Sequence, residues 1–468
     1  MKRDKRFYQE NIISTLYELK RNNYKITEED ITKLSKQYNI PTEKIHQLAT
    51  FYTFPEETEE NYNLLNKGPL TNKKSNLLKN YKGYESLKKS LQKGPILTLE
   101  EIEKSQLRGR GGAGYPTAKK WRSCRRAPGI EKYILANGHN GDPGSNSDRY
   151  LMKYHCHQLI EGMLIAGYTI GANQGIIYAE GEFQDSIRNL EKALKEAYNN
   201  NLLGNDILYT GFNFDIKIFE AAGVYVCGES TSLMRAIEGK VGEPRIKHIH
   251  TAEKGLFDKP TVLNNVETLI NVPYILEIGG NEYARTGTET SKGTKVFSLI
   301  KDVAQEGIVE VPMGTTLEKI VYAYGQKPLH YVKGVQFGGP LGGFLPKESL
   351  LETQLCFDAL SKQGSMMGDA LMVIGEDSSA AEITQYFTKF LEEESCGKCI
   401  SCKEGLRRIN EILTDAKKGK MQEKDLDLVL EIAENAKESS LCQLGQSIHN
   451  PVSTAIKHFR KDFEKWQK

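Results

Sequence analysis

Four cysteines near the C-terminus form the pattern in this chain that points most directly to chemistry. Cys396, Cys399 and Cys402 form a C-x₂-C-x₂-C run, and Cys442 follows after 39 intervening residues. Three thiols at this spacing can bind three irons of one cubane, and a fourth thiol completes the ligand set of a [4Fe–4S] cluster. Such a cluster moves single electrons, so the pattern indicates an electron carrier or a redox enzyme. A Cys₄ zinc site also uses C-x₂-C and is the main alternative; four ordinary buried thiols are another.

A second pattern is the glycine-rich loop Gly109–Gly114, which satisfies G-x-G-x-x-G. That motif indicates a dinucleotide fold only when it follows a strand and opens a helix. Here it follows a helical pattern and leads into Tyr115 and Pro116, so the Rossmann interpretation fails. Backbone N–H groups of such a loop can still hold a phosphate or a flavin ring, and a tight turn without a ligand is the alternative. Positive charge beside the loop comes from Arg108, Arg110, Lys119 and Lys120.

Composition excludes several classes of protein. The 468 residues carry a net charge of +2, which predicts no nucleic-acid partner. No apolar run reaches the ~18 residues of a spanning helix, so we expect no direct membrane insertion. The first residues lack the apolar core of a secretory signal. Eight cysteines in so long a chain are no disulfide scaffold. Reduced thiols and an oxygen-sensitive cluster predict a cytoplasmic location.

Hydrophobic periodicity divides the chain into segments that must position these motifs. The N-terminal part has helical spacing, with Thr27 as a helix cap. Strand-like runs then alternate with helical stretches, which indicates an α/β domain with a partly parallel sheet. Short strands around a helix at Thr316–Tyr324 suggest a small α+β, ubiquitin-like unit, and the end of the chain is helical. The predicted boundaries are 1–54 (helical docking segment), 55–75 (linker), 76–285 (α/β domain), 286–355 (ubiquitin-like domain) and 356–468 (helical domain with the cluster cysteines).

Several long motifs, in order from about residue 80 to the end, resemble one family: the NADH-binding, 51 kDa-type flavoprotein subunit of respiratory complex I. Related subunits occur in NAD-linked and bifurcating hydrogenases and in formate dehydrogenases. The resemblance implies an FMN-binding α/β domain, a ubiquitin-like domain and a C-terminal helical bundle with one [4Fe–4S] cluster. The matching stretches are Leu107–Trp121, Asn137–Arg149, Tyr225–Glu229, Lys259–Thr268 and both cysteine segments.

The N-terminal segment resembles a different subunit of the same complexes. Tyr24–Phe54 is similar to the helical N-terminus of the 24 kDa-type, thioredoxin-like [2Fe–2S] protein. The segment contains no cysteine, and no thioredoxin-like domain follows. The resemblance therefore implies a docking piece fused here without its cluster; an unrelated helical hairpin is the alternative.

The resemblance also implies which residues hold the cofactors. In the family the glycine loop surrounds FMN, and Lys120 stands at the position that contacts the phosphate. Amides and backbone donors supply the remaining contacts that FMN needs. The implied FMN residues are Gly109, Arg110, Gly111, Gly112, Lys120, Asn137, Asp142, Tyr225, Gly228, Glu229, Asn264 and Asn265, and the implied cluster ligands are Cys396, Cys399, Cys402 and Cys442. No side chain is assigned an acid–base catalytic role.

The nicotinamide side departs from the family pattern. Asn-x-Asp-Glu-Gly-Glu-Pro-Gly becomes a sequence with His139, Asn140 and Asp142 at the three acidic positions, and Ser230 replaces the second glutamate of Gly-Glu-Glu-Thr. Two aromatic positions are lost, one of them to Ser123. Selective loss of NADH binding is one interpretation. A change to NADPH, helped by Arg122 and His250, and neutral drift in a working NADH enzyme are the others.

The sequence thus predicts a flavin-linked electron-transfer subunit of a cytoplasmic, multi-subunit oxidoreductase of the NAD(P)H dehydrogenase type. Electrons would pass between FMN, reduced by NAD(P)H or by a partner, and the [4Fe–4S] cluster. Expected partners are iron–sulfur subunits, including a [2Fe–2S] protein and a hydrogenase- or formate-dehydrogenase-like catalytic subunit. The alternative is a relay or scaffold subunit that has lost NADH binding and exchanges electrons only with proteins.

Overall fold

The computed structural model describes residues 12, 15, 16, 19, 26–45, 68–71, 83–246, 250–422 and 424–467. Most of the predicted linker 55–75, much of the N-terminal segment and His248 lie outside these residues. In the part that is described, no helix is both long and apolar enough to cross a membrane.

The α/β domain is built on a five-stranded sheet in the order β3-β4-β2-β1-β5. Neighbours among β1, β2, β4 and β5 run parallel, and only edge strand β3 is antiparallel. The central strands β1 and β2 are almost continuously buried because helices cover both faces of the sheet, whereas β4 alternates buried with exposed or half-buried residues. The predicted partly parallel α/β domain is therefore confirmed. Its strands are β1 (Tyr133–Gly138), β2 (Gln174–Glu180), β3 (Gly204–Ile207), β4 (Phe212–Ala221) and β5 (Thr261–Asn265). Its helices are Glu85–Lys93, Pro95–Lys104, Thr117–Arg126, Ser147–Tyr154, Cys156–Ile170, Gln184–Asn199, Ser230–Ile237, Val266–Ile278 and Gly280–Tyr283.

The smaller α+β unit has a second five-stranded sheet, in the order β7-β6-β10-β8-β9. Its strands are β6 (Thr294–Ile300), β7 (Gly307–Pro312), β8 (Val332–Phe337), β9 (Gly343–Pro346) and β10 (Ala370–Gly375). The central strand β10 lies beyond residue 355, where the sequence predicts the end of this unit. Residues Leu329–Tyr331 form a 3₁₀ turn rather than the start of a strand. Helical segments Leu317–Lys319, Ile320–Tyr324 and Phe357–Lys362 complete the unit.

Helices dominate after residue 380, as the sequence predicts. Ala380–Glu394, Ile400–Asp415, Asp425–Ser439 and His449–Glu464 pack as a bundle, with the short helix Gln443–Gln446 between the last two. Near the N-terminus, helix Glu28–Tyr38 begins at a capping box formed by Thr27 and Asp30, which confirms Thr27 as a cap.

A buried ion-pair network joins the α/β domain to the small unit. The Nζ of Lys295, on β6, lies 2.6 Å from a Glu267 oxygen and 2.8 Å from an Asp369 oxygen. Lys295 and Glu267 are almost completely inaccessible to solvent. Removing one partner of such a network would leave a buried charge without compensation. The two units are therefore fixed to each other beside the loop that contains Asp369.

Candidate functional site

A cavity of about 370 Å³ opens where the parallel strands β1 and β5 end. Open α/β sheets bind ligands at the carboxyl ends of their strands, and this volume is typical of small-molecule sites. The structure brings together every predicted FMN residue except one. Residues lining the cavity are Gly109, Gly111, Gly112, Lys120, Asn137, Asp142, Tyr225, Gly228, Glu229, Asn264 and Asn265.

The glycine loop forms one wall and joins two helices, so it is not the strand-to-helix turn of a Rossmann fold. The Gly109 N–H donates to the Tyr115 carbonyl at 2.9 Å, which closes the loop. Gly112 has φ +101°, a conformation that side chains other than glycine rarely adopt, and a Cβ there would stand 3.3 Å from Met366. The loop backbone can therefore approach a ligand closely.

Arg110 is the predicted residue that does not line the cavity. Its fully buried guanidinium donates to the Tyr283 hydroxyl at 3.1 Å and to the Lys292 carbonyl at 2.5 Å. Its backbone N–H donates to Thr268. The side chain thus anchors the glycine loop to the neighbouring helices instead of facing a ligand.

Lys120 is a cation in the cavity without an anionic partner among the described residues. Its Nζ donates to the Leu263 carbonyl at 2.7 Å. Burial lowers the pKa of Lys120 to about 8, because the charged form is poorly solvated. A phosphate group would restore the missing charge interaction. This underpaired lysine is the strongest sign that the donor set fits a phosphorylated flavin.

Asparagine amides hold another part of the cavity wall in place. Asn137 donates to the Gly228 carbonyl at 3.0 Å, and Asn264 accepts a bond of 2.9 Å from the Trp121 indole. The amide nitrogen of Asn140 and one carboxylate oxygen of Asp148 are buried without a hydrogen-bond partner. Buried polar atoms are rarely left unsatisfied, and both residues line the cavity. These atoms also fit a bound group rich in donors and acceptors.

The carboxyl group of Asp142, which also lines the cavity, is bound by a tyrosine. The Tyr225 hydroxyl donates to Asp142 at 2.6 Å. Burial, reinforced by the charge of Asp369, raises the pKa of Asp142 to about 7, although the Tyr225 hydrogen bond opposes the shift. Burial also raises the pKa of Tyr225 well above its usual value. The carboxylate of Glu229 instead caps helix Ser230–Ile237, accepting from Thr231 and Ser232 backbone N–H groups.

Part of the cavity wall comes from residues outside the predicted FMN set. Met366–Asp369, which precede β10, close the cavity from the side of the small unit. Gly338 and Leu341 do the same from a glycine-rich loop. The glycines at 338–343 were the available signal, since they indicate a close approach between domains. Nothing in the local sequence distinguishes Met366–Asp369.

Several residues of this chain replace acidic or aromatic residues of the family's nicotinamide-side pattern, and only some of them line the cavity. Ser230, His139 and Asn140 line the cavity. Arg122 does not, because its guanidinium forms an exposed bidentate pair with Glu103 at 2.5 and 2.7 Å. Tyr115 lines the cavity, and the Nζ of Lys119 lies over its ring, 5.9 Å from the ring centroid. His250 is exposed, beside residues that are not described.

The four predicted cluster ligands line a second, smaller pocket. Cys399 immediately precedes helix Ile400–Asp415, and Cys402 lies in its first turn. Cys442 precedes helix Gln443–Gln446. A Cβ on Gly445 would stand 2.3 Å from the Ser440 hydroxyl, so this glycine permits the return of the chain to Cys402.

Hydrogen-bond donors surround these sulfurs. The Leu441 N–H donates to the Cys399 sulfur at 3.4 Å, and the Ser395 hydroxyl lies 3.4 Å from the Cys402 sulfur. Burial raises the pKa of the Cys402 thiol to about 11. Such thiols ionise when a cation binds, and donors to sulfur then tune the reduction potential of a cluster.

The thiols do not converge on one point. Over the described ranges, no three His, Cys, Asp or Glu side chains are arranged to hold a single metal ion. A tetrahedral ion would require sulfurs about 3.8 Å apart, given its bond lengths of ~2.3 Å. The shared pocket and four-thiol set suit a multi-iron cluster, whose irons each take one thiolate.

The two pockets share a wall. Val226, Cys442 and Leu444 line both the larger cavity and the cysteine pocket. All three residues are buried. A ligand in the cavity and a cluster bound to Cys442 would therefore be separated by little more than one layer of side chains.

Comparisons with known proteins agree with this arrangement. A family model described as the Nuo51 FMN-binding domain matches residues 102–274. A second, described as the NADH-ubiquinone oxidoreductase-F iron-sulfur binding region, matches residues 382–466. The first matched region contains the predicted FMN residues and the second contains the four cluster cysteines, and the second match favours iron–sulfur over zinc.

Individual relatives extend the similarity beyond these two regions. The chain is 39% identical over 386 residues to the HndC subunit of the NADP-reducing hydrogenase of Solidesulfovibrio fructosivorans, covering 82% of this chain and 78% of that protein. It is 39% identical over 385 residues to a subunit of the NADH-quinone oxidoreductase of Rhizobium meliloti, covering 81% and 91%. A crystal structure of air-oxidized NAD⁺-reducing [NiFe]-hydrogenase superposes with a TM-score of 0.86 at 26% identity, covering 100% of this chain and 95% of that one.

Proposed function

This chain belongs to the family of FMN- and [4Fe–4S]-binding subunits of NADH-quinone oxidoreductases and their hydrogenase relatives, and we propose how its own residues serve electron transfer between the two cofactors. FMN connects the two-electron chemistry of a hydride donor to the one-electron chemistry of the cluster. Cys396, Cys399, Cys402 and Cys442 would hold the cluster. Lys120 and the glycine loop would hold the FMN phosphate, and the amides of Asn137, Asn264 and Asn265 would orient the flavin.

The observation that carries this proposal is the shared wall of Val226, Cys442 and Leu444. A cluster ligand that also lines the flavin cavity gives electrons a short path through the protein. The surrounding residues have no acid–base step to perform. They position FMN, exclude water and supply the charge of Lys120 for the phosphate.

The protein is proposed to work within a larger assembly in the cytoplasm. Its relatives are named as subunits of quinone oxidoreductases and hydrogenases, so iron–sulfur partner subunits would accept or deliver the electrons. We expect a [2Fe–2S] protein and a hydrogenase- or formate-dehydrogenase-like subunit among them. The docking role of residues 1–54 stays a prediction, as do the boundaries of the linker and domains.

A second candidate function is a relay that no longer uses a nicotinamide nucleotide. Ser230 lines the cavity where the family pattern has a carboxylate, and Arg122 is already engaged by Glu103. The names of the relatives include both NADP-reducing and NADH-linked proteins, so they favour neither nucleotide. Direct measurement must distinguish NADH, NADPH and protein donors.

The Cys442→Ser variant tests the cluster assignment. We expect loss or conversion of the cluster with FMN retained, because one of four thiolates is removed while the cavity keeps Lys120 and its amides. Iron analysis and the EPR signal of the reduced protein measure the change. Cys356→Ser, at a buried cysteine outside the pocket, should leave both unchanged. Unaltered iron content and EPR signal in Cys442→Ser would show that the four-cysteine assignment is wrong.

The pH dependence of FMN binding tests Lys120. An anionic phosphate favours the protonated lysine, whose pKa in the protein is about 8, so FMN affinity should fall as the pH rises through 8. Lys120→Gln should weaken binding at pH 7 by about 10- to 100-fold, the ~1.5–3 kcal/mol of a charged hydrogen bond. Flavin fluorescence of reconstituted apoprotein measures both effects. Lys119→Gln, on the exposed neighbour, is the control; a pH dependence that persists in Lys120→Gln excludes the assignment.

Anaerobic stopped-flow mixing distinguishes the two candidate functions. If the pocket has lost nucleotide binding, NADH and NADPH at micromolar concentration should leave the flavin oxidised. Ser230→Glu, which supplies the carboxylate of the family pattern, should then increase NADH affinity about tenfold or more through a charged hydrogen bond to ribose. Rapid flavin bleaching in the unaltered protein at micromolar nucleotide would exclude the relay.

A further inference from the structure

A buried pair of opposite charges, His139 and Glu180, lies directly behind the flavin cavity. The Nε2 of His139 is 2.8 Å from a Glu180 carboxylate oxygen and 2.8 Å from the Val224 carbonyl oxygen. The side chains are only 5% and 4% exposed. Glu180 ends strand β2, and His139 follows the end of the neighbouring strand β1. The sheet register therefore brings the two residues together.

The pair is placed so that His139 lies nearer the cavity than Glu180. His139 is a lining residue and Glu180 is not. The ring edge lies against two glycines that also line the cavity: a Cβ would stand 2.5 Å from the ring at Gly141 and 3.1 Å at Gly228. Part of the ring therefore lies against glycine backbone, beside the edge of Tyr225, so a bound flavin would lie close to its charge.

The surroundings keep His139 protonated at neutral pH. Burial disfavours the cation, but the charge and contact of Glu180 together with the Val224 carbonyl raise the pKa of His139 to about 9. Other groups that face the ring are Tyr178, which stacks on it, Tyr225, which meets it edge-on, and Asp142. Glu394, from the helical bundle, contributes a more distant charge.

We propose that the His139–Glu180 pair is an electrostatic positioning device that presents a fixed positive charge to the flavin and thereby raises its reduction potential. The inference rests on the proposed binding of FMN in this cavity. Reduction adds two electrons and one proton to the flavin and leaves it with one more negative charge. His139 gives up no proton in this step. Its charge stabilises the reduced form because it stands in a poorly solvated site.

The two residues also fix backbone that forms the floor of the cavity. His139 bonds the Val224 carbonyl, one residue before the turn Tyr225–Gly228. Its own N–H donates to Asn137 at 3.0 Å. A purely structural role would therefore change FMN affinity or stability but would leave the potential of bound FMN unchanged. This difference makes the potential the decisive measurement.

The test is a spectroelectrochemical titration of FMN bound to the full chain. His139→Gln removes the charge and keeps a polar side chain. We expect the ratio of oxidised to reduced flavin at a given potential to rise about tenfold, which corresponds to a two-electron midpoint lower by about 30 mV. The difference from the unaltered protein should disappear as the pH rises above about 9, where His139 loses its charge. His330→Gln, at an exposed histidine, is the matched control and should leave the potential unchanged.

A second variant covers the case in which His139→Gln fails to hold FMN. The double exchange His139→Asp with Glu180→Arg keeps an ion pair but turns its negative end toward the cavity, and it should lower the midpoint further than His139→Gln. An unchanged midpoint in either flavin-loaded variant would overturn the inference. Failure of the unaltered protein to bind FMN would instead contradict the proposed function.

Discussion

The structure depends on one constraint: two cofactor sites on separate parts of the chain must share a wall. The cavity belongs to the α/β domain, and the cysteine pocket belongs to the helical bundle. They meet because Val226, Cys442 and Leu444 line both. Lys295 fixes the small unit to the α/β domain through Glu267 and Asp369. In the proposed function, the relative placement of the units therefore determines the electron path as well as the packing.

Charge inside the cavity follows from the same burial. Asp142, Asp148 and Asp369 line the cavity, and burial raises the pKa of the first two. Lys120 and His139 are basic residues that line the same cavity. A flavin phosphate near Lys120 would neutralise its charge, and a reduced flavin near His139 would carry a negative charge that the imidazolium stabilises. In this proposal, Lys120 anchors the FMN phosphate, and His139 raises the reduction potential of the flavin.

Local motifs made much of this predictable. The C-x₂-C-x₂-C run and the glycine loop are short patterns that indicate their chemistry by themselves, whereas the paired asparagines were identified only through the resemblance to the family. Arg110 could not be placed in this way, because its position in the motif does not reveal that its side chain points away from the cavity and donates to Tyr283 and Lys292. The strand Ala370–Gly375 and the wall Met366–Asp369 carry no motif. Their positions result from pairing with strands more than 30 residues earlier in the chain, which local periodicity cannot indicate.

Electrons should pass directly from FMN to the cluster across the shared wall. Flash photoreduction of bound FMN followed by rapid-freeze EPR tests this transfer. If the cofactors are neighbours, the signal of the reduced cluster should grow in step with reoxidation of the flavin, without any mediator. Reduced flavin that persists until a mediator or a partner protein is added would contradict the account.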